Sequence, residues 1–130
     1  MVQVACAIIE NHGKVLVAQR SKEKQLGLKW EFPGGKLCEG ESAEECIYRE
    51  IREELGIEIE VIRPLTPTVT EQSPISIKLI PFVCKYISGP IVMNDHNAIR
   101  WVSPGFALAT FDWCPADIPV VTEYLKICRS

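Results

Sequence analysis

One helix in this chain carries its structural constraint and its chemistry on adjacent edges. Ser42-Ala43-Glu44-Glu45 has the S-x-x-E form, in which the serine side chain caps a backbone N–H and the glutamate reaches back. Gly56 stands where a left-handed C-cap ends a helix. The spacing therefore predicts a helix over residues 42–55. Ile47, Ile51 and Leu55 form an apolar stripe along it, which has to be buried against a sheet. Glu50, Glu53 and Glu54, at i, i+3 and i+4, share the neighbouring face. One edge is thereby committed to a core, and the next presents carboxylates.

Like charges at this spacing destabilise a helix on its own. Two carboxylates about 4 Å apart repel by about 4 kcal/mol at an effective dielectric of about 20. A divalent cation turns that repulsion into attraction, and Mg²⁺ is the hard, oxygen-seeking choice that shares its shell with waters and phosphates. In metal-free protein, at least one of the three glutamates is expected to have a raised pKa through like-charge repulsion. The same pattern also describes a solvated helix face laced with Arg49 and Arg52 ion pairs. The upstream segment Trp30-Glu31-Phe32-Pro33-Gly34-Gly35-Lys36 favours the cation. Its glycines let backbone pass close to a ligand, so that a carbonyl can join a metal shell, and Lys36 can meet a phosphate.

From Gly35 the chain reads Gly, five residues, Glu41, seven residues, Arg49-Glu50-Ile51, one residue, Glu53-Glu54, one residue, Gly56-Ile57. This resembles the signature of the Nudix family at every fixed position, and WEFPGGK is similar to its MutT-type members. The resemblance implies an α/β Nudix fold, a mixed β-sheet in an α/β/α sandwich. It implies hydrolysis of a nucleoside diphosphate linked to a further group; for a MutT-type member, a nucleoside triphosphate goes to monophosphate and pyrophosphate. It also implies Glu50, Glu53, Glu54 and the Gly34 carbonyl as ligands of Mg²⁺ (or Mn²⁺), and Glu53 or Glu50 as the group that orients or deprotonates water. Arg49 is expected to hold a box carboxylate in place, with Glu41 behind the ligands or reaching a further metal.

Further positions match family sites. Arg20 closes the strand LVAQR where MutT-like members set an arginine near the nucleotide; its planar fork suits phosphates, and a surface strand-end arginine is the alternative. Asp95 precedes Trp101 at the spacing of a family acid that completes the metal shell or handles the attacking water; a lone loop aspartate otherwise forms a turn. His96 beside it has no expected role. Asp117, in PADIP, stands where many members that prefer oxidised guanine have Asn, and this wording resembles the branch that hydrolyses CTP. A carboxylate accepts from the exocyclic amine of cytosine, although oxidised guanine also offers N–H donors. A helix N-cap is the structural alternative for Asp117. Phe32 and Trp30 are candidates to stack on a base, or core residues.

The expected function is a Mg²⁺-dependent nucleoside triphosphate pyrophosphohydrolase acting on (d)CTP, 5-methyl-dCTP or oxidised nucleotides such as 8-oxo-dGTP, in nucleotide-pool sanitation. The alternatives are a non-catalytic nucleotide-sensing Nudix domain and a hydrolase of nucleotide sugars or dinucleoside polyphosphates. The complete set of box residues favours turnover.

Length and charge agree with this. The 130 residues suit one domain, 1–130, and 47% apolar residues support a core. A net charge of −3 argues against a nucleic-acid polymer as partner, and a small nucleotide arriving with its cation fits better. The six cysteines form no C-x-x-C pair. No signal peptide or membrane span is legible, so a cytoplasmic protein with reduced thiols, monomeric or weakly dimeric, is expected.

Strands are expected over residues 2–10 and 14–20, a hairpin through Asn11-His12-Gly13, and over 57–62 and 98–102. Residues 69–72 and 75–87 should pair around Ser73-Pro74. Residues 21–29 and 94–97 read as loops, 103–108 as a helical turn, and 115–119 as the opening of a last helix to about Cys128. Two main helices among strands suggest a mixed sheet covered on both faces.

Overall fold

The first strand is buried on both faces. Ala5, Ala7 and Ile9 point to one side and Cys6 and Ile8 to the other, and all are sealed from solvent. Such a strand needs a layer on each face. The computed structural model describes residues 1–71 and 75–128, with 106 and 107 by backbone alone. Its strands are β1 (Val2–Asn11), β2 (Lys14–Arg20), β3 (Trp30–Glu31), β4 (Gly34–Lys36), β5 (Glu58–Pro64), β6 (Thr68–Glu71), β7 (Ser76–Ser88) and β8 (His96–Val102). Its helices are α1 (Ala43–Leu55), α2 (Phe106–Thr110) and α3 (Ile118–Cys128).

On one face Cys46, Ile47, Ile51 and Leu55 of α1 pack with Ala5, Ala7, Ile9 and Leu16. On the other, Val120, Val121 and Tyr124 of α3 pack with Cys6, Ile8, Val15 and Val17. The chain forms the expected α/β/α sandwich around one mixed sheet. The strand order is β3-β2-β1-β7-β5, with β4 on β1, β6 on β7 and β8 on β2. β1 and β7 run parallel from Val2↔Ile77 to Glu10↔Lys85, and the other pairs are antiparallel.

The hairpin of β1 and β2 is paired only near its turn, at Glu10↔Val15 and Asn11↔Lys14. Residues 30–36 fill the wedge where the strands splay. β3 pairs with β2 at Ala18↔Glu31, the chain crosses at Phe32-Pro33, and β4 pairs with β1 at Cys6↔Gly34. Neither piece is long enough to show a strand period, so the sequence pattern does not mark them.

Other boundaries differ from expectation. β8 starts at His96 rather than 98, because pairing with Arg20 extends it. α2 lies at 106–110 instead of 103–108. Pro115–Asp117 is a separate 3₁₀ turn before α3. The pairing of β6 with β7 is as expected, while Gln72 and the Ser73-Pro74 turn lie outside the described residues. Among the described residues no helix is long and apolar enough to cross a membrane.

Candidate active site

The capping box of α1 is complete. The Glu45 N–H donates to Ser42 Oγ at 3.1 Å, and the Ser42 N–H donates to Glu45 Oε1 at 2.9 Å. Gly56, at φ 68°, ends the helix. With both ends set, the carboxylate face lies against β4. A Cβ on Gly34 would sit 2.0 Å from the Ala5 carbonyl oxygen, and one on Gly35 would sit 2.3 Å from Glu50 Cδ. Glycine is therefore what lets strand, neighbouring strand and helix carboxylate meet here.

Arg49 organises the outer part of the cluster. Its Nε and Nη2 donate to the two Glu41 oxygens at 2.7 and 2.9 Å, and Nη1 donates to Glu50 Oε1 at 2.9 Å and Glu53 Oε2 at 3.1 Å. Nη2 also reaches the Lys36 carbonyl at 3.2 Å. The fork on Glu41 is the strong, bidentate form of this pair. It and the Cys38 N–H push the Glu41 carboxyl down to about 2. Arg52 turns away and pairs with Glu58 at 2.8 Å, so both arginines form ion pairs, but only Arg49 makes them on the glutamate face.

Glu54 is different. It is half-buried, and its Oε2 is sealed from solvent with no protein partner. Burial pushes its carboxyl up to about 7; His96 opposes this, and the charges of Glu50, Glu31 and Asp95 add to it. The expected raised glutamate is present, but burial leads and like-charge repulsion comes second.

One cavity of about 460 Å³ collects Arg20, Phe32, Gly34, Lys36, Glu54, Asp95 and Asp117. Glu50 stands behind Gly35, and Glu53 is the most open of the three helix glutamates, with a side chain 59% exposed. Among the described residues no three carboxylate, imidazole or thiol groups converge at metal-ligand spacing, because Arg49 holds Glu50 and Glu53. The donor chemistry nevertheless suits a hard cation. A buried oxygen of Glu54 has nothing to bind, and Glu54 lines the same cavity as the closely packed Gly34 and Gly35.

Arg20 is not free. Its Nη1 donates to Glu31 Oε1 at 2.9 Å and its Nε to the Gln25 carbonyl at 2.9 Å. Glu31 Oε2 lies 3.0 Å from His96 Nε2, and the His96 side chain is only 4% exposed. Burial disfavours the Glu31 charge, but hydrogen bonds from His96 and Arg20 outweigh it and bring the carboxyl below its ordinary value. Sequence spacing does not point to Glu31 or His96. Their one signal is an acid between two aromatic residues in Trp30-Glu31-Phe32. β2 lies between β3 and β8, and its pairings Ala18↔Glu31 and Arg20↔His96 bring the three together. In the cavity lining, the Lys24 ammonium donates to Asp95. Lys24 carries no signal within its charged loop.

Asp117 is 5% exposed, and its Oδ2 accepts the Phe32 N–H at 3.0 Å. Burial pushes its carboxyl up to about 8, against the pull of that N–H. The N-cap alternative is corrected: the side chain turns inward instead of capping α3, because β3 and β4 offer an unpaired N–H where the chain crosses between them. Phe32 is 3% exposed and packs on Trp113 at 4.9 Å, with Trp30 on Phe111 at 4.8 Å. Phe32 is a core residue that also borders the cavity, and Trp30 is partly buried against the same core. Cys6 and Cys114 line the cavity beside them, and burial pushes the Cys114 thiol up to about 12.

A NUDIX domain profile matches residues 1–123. The chain is 37% identical over 127 residues to the CTP pyrophosphohydrolase of Escherichia coli (strain K12), spanning 98% of this chain and 93% of that protein. It is 44% identical over 55 residues to the 8-oxo-dGTP diphosphatase of Proteus vulgaris, which is 42% of this chain and 49% of that one. Its fold superposes on the solution structure of the E. coli ORF135 protein with a TM-score of 0.84 at 36% identity, over 98% of this chain and 91% of that one.

Proposed function

The chain belongs to the Nudix family of nucleotide pyrophosphohydrolases, enzymes that use a divalent cation, and on that premise we propose that it is a Mg²⁺-dependent hydrolase of cytidine triphosphates. The products are the nucleoside monophosphate and pyrophosphate, and the role is nucleotide-pool sanitation. The carrying observation is that one cavity of about 460 Å³ is lined both by Glu54, which keeps a buried oxygen without a partner, and by the buried Asp117. That volume is in the range of small-molecule sites, roughly 300–1,000 Å³.

Glu50, Glu53, Glu54, Asp95 and the Gly34 carbonyl would hold Mg²⁺, with Mn²⁺ as a substitute. When bound, the cation supplies neutralisation of charge building on phosphate oxygens. Glu53, open to solvent and touched by Arg49, orients and deprotonates the water, and Glu50 supports it. Arg49 positions both. Arg20 and Lys36 line the cavity as cations for the phosphates.

Asp117 reads the base. A carboxyl raised to about 8 is neutral at pH 7, so it offers one donor and one acceptor side by side. That matches the N3 acceptor and N4 amine of cytosine. Phe32 walls the base side. The chain acts as one domain, monomeric or weakly dimeric, on a free nucleotide rather than a polymer. Its exposed Cys38 and Cys128 thiols suit the cytoplasm.

The test is pyrophosphate release with Mg²⁺ from CTP, dCTP, 5-methyl-dCTP, 8-oxo-dGTP, dATP and ADP-ribose. We expect the cytosine triphosphates to be turned over fastest. Cleavage of ADP-ribose in preference to every triphosphate would refute the assignment.

A further inference from the structure

The loop over residues 21–29 borders the cavity, with Lys24, Gln25 and Leu26 in its lining. Its base is closed by two backbone hydrogen bonds, Arg20 N–H to the Lys29 carbonyl at 2.9 Å and Leu28 N–H to the Arg20 carbonyl at 3.0 Å. Leu26 and Leu28 both lie at positive φ, 58° and 67°, a region that a leucine occupies only when its surroundings enforce it. Side chains supply that enforcement. Gln19 Nε2 donates to the Leu28 carbonyl at 3.0 Å, and Arg20 Nε donates to the Gln25 carbonyl. The Lys24 ammonium reaches across to Asp95, the residue before β8.

We propose that Lys24 is a phosphate-binding residue, parked on Asp95 until a divalent cation takes that carboxylate. This rests on the reading of Asp95 as part of the cation site. An ammonium and a cation compete for the same Oδ2 of Asp95. The ion pair is open, with side chains 39% and 51% exposed, so little holds Lys24 there. Its ammonium sits on a flexible four-carbon stem and swings easily. Arg20, by contrast, is held on the half-buried Glu31 and on the Gln25 carbonyl. Release of Lys24 therefore adds a mobile positive charge to a cavity whose other cations are Arg20 and Lys36. Cation and phosphates would then bind cooperatively, because filling Asp95 frees the group that the phosphates attract.

The test uses the full chain and Lys24→Met, which keeps most of the stem and removes the charge. Binding of Mn²⁺ without nucleotide, read from the free-ion EPR signal, should tighten about threefold, the scale of an exposed ion pair. The gain should vanish in an Asp95→Asn background. The KM for CTP should rise about tenfold, the scale of one charged contact, with kcat changed less than twofold. Lys24→Arg should restore the low KM. If Lys24→Met matches an active wild type in both Mn²⁺ affinity and KM, the role of Lys24 is refuted and the pyrophosphohydrolase reading stands. If Asp95→Asn binds Mn²⁺ as the wild type does, the proposal also fails. A wild type that neither binds Mn²⁺ nor releases pyrophosphate overturns the functional reading itself.

Discussion

Asp117 Oδ2 accepts the Phe32 N–H at 3.0 Å, from a carboxyl only 5% exposed. The bond ties the 3₁₀ turn before α3 to the crossing between β3 and β4, and it has a consequence for stability. The folded pKa of about 8 lies above the ordinary aspartate value of 3.8, so between those pH values the folded state binds more protons than the unfolded one. This contribution is complete below about pH 4, is lost as pH rises to about 8, and is flat above. Asp117→Asn, which keeps an acceptor for Phe32, should gain on the wild type by up to about 1.4 kcal/mol per pH unit in that window. Urea midpoints from pH 5 to 9 check this, and parallel curves for the two proteins would contradict it.

Base choice should follow the same group. An asparagine fixed by the Phe32 N–H has an amine where the aspartic acid has its second oxygen. The wild type should lose its preference for CTP over 8-oxo-dGTP as pH passes about 8, whereas Asp117→Asn, which cannot ionise, should shift the ranking of the two bases and then hold it from pH 7 to 9. Relative kcat/KM at pH 7 and 9 decides the point.

Two helix glutamates should separate function from stability. Glu53→Gln should lower kcat by about 10² or more, on the scale of general-base loss, with the urea midpoint unchanged because the side chain is 59% exposed. Glu54→Gln should weaken Mg²⁺ binding. It should also make metal-free protein more stable than the wild type above pH 7, since a carboxyl raised to about 7 charges unfavourably in the fold as pH climbs from its ordinary value. Carboxyl NMR titration of metal-free protein should find Glu54 near 7.

Arg49→Lys is not conservative here. A lysine cannot span both Glu41 oxygens and still reach Glu50 and Glu53. We expect kcat to fall roughly 10- to 100-fold, the scale of losing the group that orients a ligand. Steady-state kinetics with saturating Mg²⁺ would reveal an unchanged kcat if the fork were dispensable.

Ser42→Ala removes one arm of the capping box and should cost about 1 kcal/mol. The loss should appear in the urea midpoint at any pH from 6 to 8, with m unchanged.

Much of the site was legible because its geometry is local. Glu50, Glu53 and Glu54 share a helix face whatever surrounds them, and Ser42 and Gly56 set that helix without outside help. The Gly34-Gly35 pair announced a close approach, and Arg49 to Glu53 is an i, i+4 contact. Glu31 and His96 were not legible as partners. They are 65 residues apart, and what joins them is the register of β2 with β3 on one side and β8 on the other.

Electric environment was equally out of reach. Nothing in the spacing distinguishes Glu54, whose oxygen is sealed in, from Glu53, which faces solvent one residue earlier. Like-charge repulsion was visible in the pattern, yet burial proved the larger cause of the Glu54 shift. The sequence by itself determined the helix, its caps, its apolar stripe and its row of carboxylates, because those depend on contacts within four residues. Tertiary structure decided that Lys24 lies on Asp95, that Arg20 is held by Glu31, and that Asp117 is buried against a backbone N–H 85 residues away. Those outcomes require distant strands to align and water to be excluded, and both arise only when the whole sheet is assembled.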